Sequence, residues 1–292
     1  WVIAAGAALG AACAVKWSGA YILAVFGIYL VVTDALARRR AGITLWPTDA
    51  AFRQGPVTFV LFVPVAFVVY LASWTGWLVT AGGYDRQSDP NPFIALWNYH
   101  TAIYNFHVGL TSEHAYASPA WQWPLMRRPT SMYWNNGAYE TDGCDLPSGC
   151  VQAVTSIANP AIWYAGVVAV LILIAIFAIR PLRGRFRDWR IALVLTAIGA
   201  TYVPWLLYHE RTIFQFYTVV IVPFLILALV LGLRMLAGTK TDSFVRRSVG
   251  QGIVAVFLII AVAFAAFWYP LWAGMEVSYD FWRLHASFDS WI

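Results

Sequence analysis

The sequence predicts an all-α, polytopic membrane protein, and three observations carry that prediction. Of its 292 residues, 61% are hydrophobic and only 11% charged, where a soluble domain carries roughly a quarter charged. The apolar residues are gathered into blocks that approach the ~20 residues a bilayer crossing needs. The charges that remain fall almost wholly between the blocks.

Seven apolar spans follow in order: Trp1–Ala14, Ser18–Ala37, Val57–Thr80, Pro160–Ile179, Ile191–Tyr208, Ile213–Leu236 and Gly252–Trp268. The first would be only ~21 Å long against a hydrocarbon core of ~30 Å. It reads as a truncated helix, so the chain is expected to continue upstream. Pro64, Pro204 and Pro223 fall inside spans, which membrane helices tolerate when neighbours satisfy the freed carbonyls.

Basic residues set the orientation. Arg38, Arg39, Arg40 and Arg53 occupy one connection, Arg180, Arg183, Arg185, Arg187 and Arg190 a second, and Arg234, Lys240, Arg246 and Arg247 a third. These connections alternate along the chain, so they share one side, which the positive-inside rule makes cytoplasmic. That side takes 13 of the 19 basic residues, and the opposite side takes 10 of the 14 acids. The net charge of +5 is thus explained by orientation, and no nucleic-acid partner is expected. The turn at Lys16–Gly19, the loop 81–159, the turn at His209–Thr212 and the tail from Tyr269 are placed outside. The basic set is 17 Arg and two Lys, a bias that points to a GC-rich bacterium and hence to a bacterial plasma membrane.

The 79-residue loop is the informative one. Its start, Asn91–Gly109, is aromatic and nearly uncharged. On a helix, Phe93, Trp97, His100, Tyr104 and His107 would fall in an arc of ~80° at 100° per residue. Such a face suits the membrane interface, where aromatic and imidazole rings keep one polar edge wet. His100 reads as one of those wet edges. Farther on, Cys144 and Cys150 flank a turn-rich spacer on the external side, which favours a disulfide over two free thiols or a zinc site.

Two cations invite a ligand. Lys16 sits in a very short external turn, where it either snorkels to headgroups or meets a ligand. Arg211, in Tyr208-His-Glu-Arg, must lie at the interface, where a guanidinium can clamp a phosphate or pair with Glu210. Both suit a lipid-linked phosphate. His100 and His107 lie ~10.5 Å apart along a helix, too far to share a metal easily. No metal site and no cofactor are expected. His107 and His114 remain candidates for contact with substrate. Nucleotide-binding glycine motifs and a G-x-S-x-G elbow are lacking, so neither a nucleotide-sugar donor nor a serine hydrolase is supported.

The run His114-Ala-Tyr-Ala-Ser-Pro-Ala-Trp-Gln-Trp-Pro-Leu-Met126 resembles a segment of the protein O-mannosyltransferases. So do Val15-Lys-Trp-Ser-Gly19, Ser156-Ile-Ala-Asn-Pro-Ala-Ile-Trp163 and Arg211-Thr-Ile-Phe-Gln-Phe-Tyr217 with Pro223-Phe224. The resemblance implies a GT-C type helix bundle with an external active site, of the bacterial, actinobacterial-looking branch. It also implies inverting transfer of mannose from polyprenyl-phosphate-mannose to Ser or Thr of exported polypeptides, met at the translocon. Donor-phosphate binding falls to Arg211 and Lys16. Sugar and acceptor contacts fall to His107, His114, Tyr116, Trp121 and Trp123. The family's catalytic acid lies in an Asp-Glu pair of a first external loop with no counterpart here, so it is expected upstream of Trp1, in an N-terminal segment of the same protein. The rival readings are a GT-C transferase using the same carrier on a glycan or lipid, and a transporter or flippase.

Overall fold

The computed structural model describes residues 1–140, 143–182 and 188–292. Asp142, Arg183, Arg185 and Arg187, which entered the charge analysis, lie outside the described residues. Ten α-helices are described: α1 (Val2–Val15), α2 (Gly19–Arg40), α3 (Trp46–Ser73), α4 (Thr75–Val79), α5 (Pro92–Val108), α6 (Pro160–Leu182), α7 (Trp189–Tyr202), α8 (Val222–Ala237), α9 (Phe244–Trp272) and α10 (Tyr279–His285). Five apolar stretches are long enough to cross a bilayer: α2, α3, α6, α7 with the 3-10 turn that follows it, and α9. The protein is a multi-pass membrane protein, predominantly α-helical.

Several expected spans have different limits. The third begins at Trp46 rather than Val57 and closes at Ser73, because Pro47 starts a helix where its missing N–H costs nothing. The span expected over Ile191–Tyr208 leaves α-geometry at Tyr202, and residues 203–207 around Pro204 form a 3-10 turn. The span expected over Ile213–Leu236 is helical only from Val222, with a 3-10 segment at Gln215–Val220 before it and Pro223 in the first turn of α8. The helix expected over Asn91–Gly109 is α5, capped by the Asn91 side chain, which accepts from Phe93 N at 3.0 Å.

The chain divides into two compact units, residues 1–110 with 199–204, and residues 111–198 with 205–292. In the first, α1 packs on α3 through glycines. A Cβ built on Gly6 would stand 2.9 Å from the Phe62 carbonyl oxygen, and one on Gly10 only 2.4 Å from that of Ala66. Lipid tails are as apolar as leucine, so close backbone approach at small residues is what holds such helices together. Gly19 makes a similar approach, where an added Cβ would stand 2.8 Å from Cys13 N, and so allows α2 to fold back immediately after α1. At the other end of α2, Arg38 pairs with Asp34 at 2.5 Å and with Asp49 of α3.

In the second unit, α8 lies between α6 and α9, with Gly166 against Leu225 and Gly250 against the Leu236 carbonyl. The connection from Thr111 to Asn159 also carries two strands of a small antiparallel sheet completed by the C-terminal tail, which hydropathy did not announce. Strands β1 (Ser131–Gly137), β2 (Cys150–Thr155) and β3 (Glu276–Ser278) lie in the order β1-β2-β3. Val151 and Ala153 of β2 turn into a core with Trp163, Trp268, Trp282 and Trp291. Cys144 and Cys150 form a disulfide that closes the turn before β2. His285 is fully buried, its ring nitrogens 2.6 and 2.7 Å from the Phe281 and Phe267 carbonyls, and so ties α10 to the end of α9.

Two glycines give opposite expectations. Gly10→Val should destabilise the detergent-solubilised protein by about 1–3 kcal/mol through overpacking on Ala66. Gly252→Ala, inside α9 with open space around it, should instead stabilise by about 0.5–1 kcal/mol. Thermal unfolding of the two variants checks both signs.

Candidate active site

The second unit folds the loop after α5 against the turn between α7 and α8. Ser118 N donates to the Ile213 carbonyl at 2.8 Å, and the Thr212 hydroxyl donates to the Ser112 carbonyl. These contacts, between stretches about a hundred residues apart, bring His114 and Arg211 to the wall of one open cavity of about 550 Å³. Glu113, Ser118, His209 and Glu210 share the wall.

Indole rings position the loop. Trp123 Nε1 donates to the Ser118 carbonyl at 2.9 Å, Trp163 Nε1 to that of Pro124 at 3.0 Å, and Trp291 Nε1 to that of Met126 at 2.7 Å. Arg128 adds a second brace. It donates to Ala115 O and to the chain end at Ser290 O and Ile292 O, and its guanidinium lies 4.8 Å from the Tyr116 ring. Beneath the loop, Trp123, Trp205 and Tyr217 pack at ring separations of 5.0–6.4 Å.

Arg211 is half-buried, with its guanidinium carbon 5.7 Å from the Trp205 ring. The aromatic face holds the planar cation at the cavity wall. His114 is exposed, stands edge-on to Phe214 at 5.0 Å, and accepts from Tyr116 N at its Nδ1, 3.1 Å away. An accepting Nδ1 leaves the proton of a neutral ring on Nε2, which makes that nitrogen a donor. The Ser118 hydroxyl, 0% exposed at the cavity wall, has no hydrogen-bond partner among the described residues. The cavity wall thus carries a guanidinium and an imidazole donor, with two exposed carboxylates beside them. That is a set suited to an anionic, oxygen-rich ligand.

The other site residues expected from sequence are distributed unevenly. Tyr116 is half-buried under Arg128, and Trp121 is 57% exposed. Trp123 is corrected from a ligand contact to a floor residue, because it is 1% exposed and its N–H is already taken by Ser118. Lys16 and His107 belong to the first unit, and both are exposed. Among the described residues, no group of three or more His, Cys, Asp or Glu could hold a metal. His100 is also corrected: both its ring nitrogens are engaged inside the first unit rather than wetted at an interface. Sequence reasoning gave no role to Ser118 and Thr212, although both lie in the family-like runs, because they matter only through contacts distant in the chain.

Residues 92–291 match the family model described as the C-terminal four TMM region of protein-O-mannosyltransferase. The chain belongs to the protein O-mannosyltransferase family. It is 31% identical to the polyprenol-phosphate-mannose–protein mannosyltransferase of Mycolicibacterium smegmatis, covering 100% of this chain and 58% of that relative. The enzymes of the same name from Mycobacterium tuberculosis and Corynebacterium glutamicum are 29% and 28% identical, over 57% and 58% of their lengths. The chain therefore spans rather more than half the length of the curated relatives it matches. In fold it is similar to the S. cerevisiae protein O-mannosyltransferase Pmt1-Pmt2 complex bound to the sugar donor, with a TM-score of 0.56 and 20% identity over 70% of this chain and 27% of that one.

Trp123 and Trp121 separate scaffold from surface. Trp123→Ala should cost about 3–5 kcal/mol, as expected for an emptied aromatic core site. Trp121→Ala should change stability by less than about 0.5 kcal/mol. Thermal unfolding of each variant checks the contrast.

Proposed function

We propose that this chain forms the donor-phosphate part of a transferase that moves mannose from polyprenyl-phosphate-mannose to Ser or Thr hydroxyls of exported polypeptides. Family membership supports the reaction class, and the names of the three actinobacterial relatives supply the donor. The observation that carries the reading to residues is the convergence of Arg211 and His114 on one cavity.

The chemistry asks for what that cavity offers. The acceptor oxygen attacks the anomeric carbon, the bond from that carbon to the phosphate oxygen breaks, and the acceptor proton passes to a general base. Direct displacement inverts the anomeric centre. The departing lipid phosphate is a stable anion that needs positive charge more than a proton. Arg211 supplies that charge beside a low-dielectric aromatic floor. Lys16 is also assigned to donor-phosphate binding, and His114 donates from Nε2 to a donor oxygen. His107, Tyr116 and Trp121 are assigned to sugar and acceptor.

We place the general base outside this stretch, in the part of the relatives that the chain does not match. The charge asymmetry of the connections supports a site on the external face of a bacterial plasma membrane, where polypeptides leave the translocon.

Arg211→Ala in the intact protein should lower mannose transfer to a Thr-containing peptide by roughly 10²-fold or more, the usual cost of one preorganised charge donor. Arg211→Lys should recover part of the loss, because it restores the charge without the fork. Near-normal turnover in Arg211→Ala, with donor at subsaturating concentration, would refute the phosphate role.

A further inference from the structure

The turn that carries Lys16 is held by a chain of three side chains whose donor and acceptor roles are fixed. Trp17 Nε1 donates to the Tyr70 hydroxyl at 2.9 Å. That hydroxyl lies 2.5 Å from His100 Nε2, and His100 Nδ1 lies 2.8 Å from the Leu96 carbonyl oxygen. A carbonyl can only accept, so the ring proton sits on Nδ1. Nε2 then presents a lone pair, and the phenol donates to it. The direction of every bond follows: indole to phenol, phenol to imidazole, imidazole to backbone.

The same three residues also pack. Trp17 stacks on His100 with ring centroids 5.4 Å apart and planes 17° from parallel. Tyr70 meets His100 edge-on at 5.7 Å, and Trp74 closes the cluster 5.0 Å from His100. Three separate elements are joined in this way: the α1–α2 turn through Trp17, α3 through Tyr70, and α5 through His100 and Leu96. All of them lie in the first unit.

Lys16 directly precedes Trp17. Its backbone is extended, with φ −156° and ψ 133°, and it ends α1 by donating its N–H to Ala12 O at 3.0 Å. Gly19 N returns to Lys16 O at 2.9 Å. Backbone bonds alone leave a four-residue turn at a helix end prone to fraying. The Trp17 side chain is what anchors the turn laterally to α3 and α5.

We propose that Trp17, Tyr70 and His100 are positioning residues, which fix the backbone from which Lys16 reaches the donor phosphate. His100 serves as an obligate hydrogen-bond acceptor at Nε2. The inference rests on the phosphate role assigned to Lys16 above. It accounts for a histidine whose two nitrogens are both engaged within the fold, on a helix whose Phe93, Trp97, Tyr104 and His107 are exposed.

The test is a double-mutant cycle in the intact protein, reconstituted in vesicles with polyprenyl-phosphate-mannose and a Thr-containing peptide, reading donor KM and kcat separately. Lys16→Ala should raise donor KM about tenfold, the equivalent of ~1.4 kcal/mol. Tyr70→Phe, which removes the hydroxyl and keeps the ring, and Trp17→Phe, which removes the indole N–H together with part of the ring system, should raise donor KM three- to fivefold, roughly 0.6–1 kcal/mol, and leave kcat unchanged. His100→Leu should match them. His100→Gln should restore near-normal KM, because its amide oxygen can accept where Nε2 did. In the Lys16→Ala background, Tyr70→Phe should add less than about twofold, since coupled residues are non-additive.

Two results overturn the proposal by itself: full multiplication of the Tyr70→Phe and Lys16→Ala effects, or His100→Gln as impaired as His100→Leu. A Lys16→Ala variant with unchanged donor KM overturns the phosphate reading of Lys16, and the positioning proposal falls with it.

Discussion

Irregular backbone beside a bilayer must find its hydrogen-bond partners within the protein, and in the second unit that constraint is met by tryptophan. The carbonyls of Ser118, Pro124, Met126 and Ile157 each accept from an indole N–H, those of Trp123, Trp163, Trp291 and Trp272. An indole buries a large apolar body while delivering one donor at a fixed edge. It can therefore satisfy a loop carbonyl without bringing water into the core. A carbonyl left bare at that depth would cost ~1–3 kcal/mol. Four such donors, from the loop itself, α6, α9 and the C-terminal tail, hold the backbone at Ser118, Pro124, Met126 and Ile157 in place. The cavity wall bearing His114 is built on that support.

Helix contacts obey the complementary rule. Where both elements are regular, no backbone group is exposed and nothing polar is needed to join them. Small residues then decide how closely the axes approach. Gly6 and Gly10 against Phe62 and Ala66, and Gly250 against Leu236, are contacts a single methyl group would disturb. The first unit combines both rules at one end. Gly19 permits a turn of minimal length, and the turn then relies on Trp17, Tyr70 and His100 for lateral support.

How much of this could be read in advance depends on the length scale of the signal. The helical class and α5 were legible because hydropathy and periodicity are local properties summed over 15–20 residues. The family was legible because its segments recur in order. The close approaches of Gly6 and Gly10 leave only a four-residue glycine spacing in the sequence, a weaker signal than composition. The sheet was not legible: β1 reads Ser-Met-Tyr-Trp-Asn-Asn-Gly, without clean alternation, and pairs with β2 beyond a disulfide-closed turn. Trp123 and His100 were misplaced for a different reason. An aromatic-rich loop looks uniformly suited to ligand contact, and only three-dimensional packing separates the rings that form the floor from those that face solvent.

Pro204 and Pro223 explain why the candidate site lies where hydropathy shows unbroken spans. Both sit in apolar runs, so a hydropathy profile carries them through as helix. Each instead marks a boundary: α-geometry stops at Tyr202 and resumes only at Val222. Between them lie two 3-10 segments and the turn that holds Arg211. Non-helical backbone is tolerated near a membrane where it is buried in protein or lines a cavity. Here it does both: Trp205, Ile213 and Gln215 are buried, while Tyr208 to Ile213 line the cavity. A straight helix through 203–221 would place Arg211 in mid-span with its charge unsupported. Interrupting it gives the guanidinium a short turn, an aromatic face in Trp205 and a place on the cavity wall. The break in the helix is therefore what makes a fixed positive charge compatible with this depth.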